Sequence, residues 1–207
     1  MKKAVITSVV LTMLALAVPA LAGPPFVCHP FDIGTAKSLP WGETNNYLAM
    51  RDDYDFTHVV ADVDKVLTPE TPTIVRMETL RRAAIYSSRD RAVARDLLAF
   101  VITRAKSGDA LALFDAGYVT EALNELEQAG RYDKQLRGLD GVLAGLTDAA
   151  SGRALIEKSA ALRPEDAGIE FALGLISRSP ENERHFAKAY GAAREDALLA
   201  GNLAKLR

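Results

Sequence analysis

The sequence predicts an all-α protein: antiparallel helical hairpins stacked as a superhelix or packed as a compact bundle, preceded by an extended N-terminal arm. Three observations predict it. Apolar residues recur at helical spacing from residue 44 to the C-terminus. Turn chemistry interrupts that pattern every ~12 to 20 residues. No stretch shows sustained alternation of β-branched residues, so essentially no sheet is expected.

Residues 1–22 are set apart as a signal peptide. Lys2 and Lys3 form a short positive start, and Ala4 to Val18 is apolar except at Thr7, Ser8 and Thr12. Pro19 breaks the run, and Ala20-Leu21-Ala22 has the small-x-small form that a signal peptidase reads. The expectation is cleavage after Ala22 and a periplasmic or secreted mature chain; an uncleaved anchor is the alternative. Cys28 lies too far beyond Ala22 to be a lipidated cysteine. No later apolar stretch is long enough to span a membrane, since Asp115 interrupts Ala110 to Val119.

Residues 23–43 read as a Pro/Gly-rich arm. Pro24, Pro25, Pro30 and Pro40 forbid a long helix there. Phe26, Val27, Phe31, Ile33, Leu39 and Trp41 make it apolar enough to dock on the helical body.

Residues 44–207 form the helical domain. Thr44 or Asn45 is expected to cap a long helix to Leu67, ended by Thr68-Pro69-Glu70-Thr71-Pro72. Ile74, Met77, Leu80, Ala84 and Ile85 mark the second helix. Ser88 or Asp90 opens the third, with Val93, Leu97, Phe100 and Val101 on one face. Ser107-Gly108-Asp109 reads as a stop, turn and start. Leu111, Phe114, Tyr118, Ala122 and Leu126 follow, stopped by Gly130. Leu139 to Leu146 and then Ser151-Gly152 to Leu162 give two more segments. Asp166 caps the next, and Ser179-Pro180-Glu181 reads as a cap with Pro in the first turn. Leu198, Leu199, Leu203 and Leu206 mark the last helix.

Ala160-Ala161-Leu162-Arg163-Pro164-Glu165-Asp166-Ala167, followed by Phe171-Ala172-Leu173-Gly174, resembles the tetratricopeptide repeat, in degenerate form and of the exported bacterial type. The resemblance covers Arg153 to Ala193. It implies a helical scaffold that presents a groove to a peptide or protein, and no catalytic residues. It also implies small residues where helices cross, a need that Ala172, Gly174, Ala187, Ala189 and Ala193 fit, with Phe186 and Tyr190 as bulk. A period near ~34 residues would place a counterpart of Pro164 near Arg194-Glu195-Asp196, where no proline stands.

Several groups carry chemistry. Cys28, His29 and Asp32 are a thiol, an imidazole and a carboxylate in one short stretch, suited to metal or redox work if they converge with His58 or His185. Adjacent residues seldom chelate one ion, so a buried cysteine, or an oligomer linked through Cys28, stands beside that reading. Trp41, the only tryptophan, is either a recognition element or a ring packed on the first helix. Acidic steps at Asp52, Asp53, Asp55, Asp62 and Asp64 lack the glycine of a calcium loop and read as a solvated face. Arg76 to Lys106 has eight bases and three acids between two acidic blocks. Arg76, Arg81, Arg82, Arg89, Arg91 and Arg95 would then line a groove for an acidic peptide or anionic surface, or pair with neighbouring helices.

The formal charge of −2, about −4 once Lys2 and Lys3 are removed, is no nucleic-acid footprint. No phosphate loop, nucleophile elbow or zinc-protease motif is present, and no cofactor is implied. Protein or peptide binding outside the cytoplasm is the leading expectation. A metal- or redox-active protein centred on Cys28 and His29 is the alternative.

Overall fold

The computed structural model describes residues 26–42, 46–147, 149–193 and 196–206. Residues 1–22, expected from the sequence to be a signal peptide, and Thr44, Asn45, Arg194 and Glu195 lie outside them. The helices described are α1 (Val59–Val66), α2 (Thr73–Ser87), α3 (Arg91–Ala105), α4 (Ala110–Ala129), α5 (Leu139–Leu143), α6 (Ala149–Leu162), α7 (Ala167–Ile176), α8 (Glu181–Ala192) and α9 (Ala197–Ala204). Among the described residues there is no β-strand, and no helix is long and apolar enough to cross a membrane.

Helix α4 is the centre of the packing. Every residue from Leu111 to Thr120 is buried, as expected of a helix that is apolar nearly all round. It packs against α2, α3, α5, α6 and α7. Helix α2 is buried along its whole length except at Arg82 and touches both α4 and α7. Contacts of this kind join helices far apart in sequence, so the assembly is a bundle around α4 more than a linear stack of repeats.

Two close approaches need glycine. A Cβ on Gly117 of α4 would lie 2.6 Å from the carbonyl oxygen of Gly152 in α6. A Cβ on Gly174 of α7 would lie 2.6 Å from the ring of Phe186 in α8. Ala172, Ala189 and Ala193 are buried as expected, but Ala187 faces solvent.

Four helix starts follow from aspartates. Asp90, Asp109, Asp166 and Asp196 each accept a main-chain N–H in the first turn of α3, α4, α7 and α9, satisfying donors that no helical carbonyl reaches. Ser179 does not cap α8; its hydroxyl donates to Glu183 instead, and Pro180 holds the cap position.

The long first helix expected from residue 44 is not formed. Residues 46–55 are turns and extended chain, Phe56–His58 is a 3-10 turn, and only Val59–Val66 is α-helical. Asp55 accepts the N–H of Thr57 and so starts the chain's turn only at Phe56, and Asp53 clamps the Arg51 side chain. The Leu139 segment is likewise short, bracketed by Gly138 and Gly145 at φ 95° and 67°.

The arm docks as expected. Phe26, Val27, Phe31, Ile33 and Leu39 are buried in the same core as the helices. Phe26 packs on Tyr118 at 5.0 Å between ring centroids, and Phe31 meets Phe171 edge-on at 5.8 Å.

Candidate functional site

The arginines of the basic block do not assemble one groove. Arg76 and Arg81 are buried inside the bundle, which corrects their expected surface role. Arg76 donates to both oxygens of Asp115 at 2.9 and 2.7 Å and to Thr68 O. Burial lifts the Asp115 carboxyl to about 6 despite this partner. Arg81 grips Glu78 with two bonds of 2.8 Å and donates to the carbonyls of Val27 and Tyr47.

Arg82, partly buried, bonds Glu78 at 2.6 Å and Leu39 O at 2.7 Å. Glu78 also accepts the N–H of Phe31 at 3.0 Å. The block therefore does hold an extended segment through its main chain, and that segment is the chain's own arm. Buried charges persist only when paired and hydrogen-bonded, and the arm supplies those bonds.

Trp41 packs on Tyr86 of α2, not on the first helix, at 5.4 Å edge-on, with the Arg81 and Arg82 guanidinium groups 5.1 and 5.7 Å from its ring. Arg89, Arg91 and Arg95 are exposed. Arg89 lies over Phe56, Arg91 donates to the carbonyls of Val142 and Ala144, and Arg95 pairs with neighbouring Asp96.

Cys28, His29 and Asp32 do not converge. Asp32 is exposed and tied to α9: its N–H donates to Asn202 Oδ1, Asn202 returns a bond to Asp32 O, and its carboxylate pairs with Lys205. His58 faces solvent beside Asp55, and His185 pairs with Glu170. Among the described residues no group of three or more His, Cys, Asp or Glu is placed to hold a metal ion.

Cys28 is half-buried at the rim of a cleft of about 550 Å³ between α4, the turn after it and the end of α7. Burial, and after it the charges of Glu125 and Asp133, push the thiol up to about 11. A thiol held protonated is a poor nucleophile and a poor redox centre.

The polar side chains of this cleft were not read from the sequence. Glu125 accepts the N–H groups of Phe26 and Val27, each at 3.1 Å. Burial still lifts its carboxyl to about 8. Glu121 accepts the N–H of Arg153 at 2.7 Å and is also raised, first by burial. Asp133 accepts the Tyr47 hydroxyl at 2.7 Å, which holds it below its ordinary value. Asn124 Oδ1 accepts from Thr147, while its buried Nδ2 has no acceptor among the described residues. Glu121 and Glu125 stand one helical turn apart, a spacing visible in the sequence, but only the docked arm makes it a cleft.

A second concavity of about 720 Å³ lies between α6, α7 and α8. Ala160 and Ala161 form one wall, Gly191 and Ala192 the other, with Ala167 and Leu173 between. Glu170 sits in it, bonded by His185 Nδ1 at 2.7 Å and Lys188 Nζ at 3.0 Å. Burial opposes its ionisation, but the two partners outweigh it and hold Glu170 below the ordinary carboxylate value.

No family model, curated protein or solved structure matches the chain. Fold and sites define a class on their own: an all-α bundle with its N-terminal arm built into the core and open clefts on its surface.

Proposed function

We propose that this chain is an exported helical scaffold, similar to degenerate tetratricopeptide repeats, that binds an extended segment of a protein partner. Export rests on the leader-like residues 1–22, with cleavage after Ala22 and a periplasmic or secreted product.

The observation that carries the reading is the α6–α7–α8 groove. Small residues on both walls let a main chain come close, and Leu173 offers an apolar floor. The Glu170–His185–Lys188 cluster supplies polar contact in an otherwise apolar channel, the usual composition of a binding cleft. The resemblance to the repeat family covers this same stretch, and the glycine at 174 against Phe186 supports it.

Site-specific photocrosslinking tests the proposal. A crosslinker at Ala161 should give one discrete adduct in the extracytoplasmic fraction, and one at exposed Lys106 should not. Identical adducts from both positions, or none from Ala161, would refute it. The intact mass of the purified product should begin at Gly23.

A further inference from the structure

We infer that the Cys28 cleft binds a primary amine on an apolar stem, with a hydrogen-bond acceptor a few atoms from the nitrogen. This site is distinct from the α6–α8 groove and stands or falls separately. The cleft wall carries the carboxyl groups of Glu121, Glu125 and Asp133 against the single cation Arg178; Glu125, lifted to about 8 by burial, keeps its proton at neutral pH, so Glu121 and Asp133 supply the negative charge. Among the described residues Glu121 accepts its hydrogen bond, from the Arg153 N–H, on Oε1 alone, leaving Oε2 for an ammonium. The C-terminal end of α7 forms the opposite wall and adds the negative end of a helix dipole.

Independent of charge is Asn124. It is only 7% exposed and lines the cleft, yet its Nδ2 has no acceptor among the described residues. Buried amide donors are nearly always satisfied, so this one calls for an acceptor from outside. Phe26, Leu175 and Ile176 provide apolar cover for a stem. A lysine residue within a polypeptide has all three parts: ammonium, stem and main-chain carbonyl. A free alkylamine has only the first two.

The test uses the mature chain and calorimetric titration with three probes: Nα-acetyl-lysine methylamide, its norleucine analogue and n-pentylamine. Saturable binding of the blocked lysine is expected, with the norleucine analogue at least ~10-fold weaker, as loss of a charge-assisted bond requires. Glu121→Gln should weaken both amines. Asn124→Ala should weaken the blocked lysine and leave pentylamine unchanged, which assigns the site to lysyl peptides. Equal binding of the two amines, both indifferent to Asn124→Ala, shows that no acceptor is required and overturns the proposal.

Gln128→Lys, at an exposed position of the same cleft, plants a tethered ammonium and should block both amines without touching the fold. The proposal is overturned if neither amine saturates, or if binding survives both Glu121→Gln and Gln128→Lys.

Discussion

The two halves of the molecule use polar groups in opposite ways. Around α2 and α4, charge is buried and spent internally: Arg76 on Asp115, Arg81 and Arg82 on Glu78 and on the arm's carbonyls. Around α6, α7 and α8, helices meet through glycine and alanine, and the Glu170 cluster opens into a groove. The difference teaches where a partner can act. A side chain already satisfied by the fold has nothing to offer, however basic the sequence looks.

The hardest way to break that contrast is to strip the buried network. Arg81→Ala leaves Glu78 undercompensated and the carbonyls of Val27 and Tyr47 without their donor. It should cost ~3–5 kcal/mol in urea denaturation and expose the arm to protease. A loss below ~1 kcal/mol would mean that the pair contributes no more than a surface ion pair does.

Gly174→Ala probes the other half. It should cost ~1–3 kcal/mol through overpacking against Phe186, and part of that should return in the Gly174→Ala, Phe186→Ala double variant.

Titration separates the halves more finely. Glu125 has a raised carboxyl in the folded state, so the folded chain holds that proton more tightly than the unfolded chain does. Its contribution is fully present below about 4.5 and is lost as pH rises towards about 8. Stability measured by denaturation should fall across that window, and Glu125→Gln should flatten the slope. The smallest effect is expected at Arg95→Ala, within ~0.5 kcal/mol, because Arg95 bonds only its exposed neighbour.

Local chemistry made much of the fold legible. Asp90, Asp109 and Asp166 announce their helices, and Gly108 with φ 76° takes the turn expected of it. The start of the expected first helix was not legible, because the tyrosines within its span dock singly, Tyr47 on Asp133 and Tyr54 against Tyr86. The site was far less legible. Whether Arg81 points inward depends on an arm about fifty residues upstream, and no local pattern encodes that. Asn124 belongs to no motif; its meaning comes from which neighbours fail to reach it.

The seam between Gly117 and Gly152 joins these two regimes at main-chain contact, flanked by the side chains of Ile156 and Glu121. Nothing compressible lies between α4 and α6 there, so neither helix can settle closer, and any added methyl must wedge them apart. The open channel on the far side of α6 thus inherits its width from a joint that side-chain drift elsewhere does not loosen.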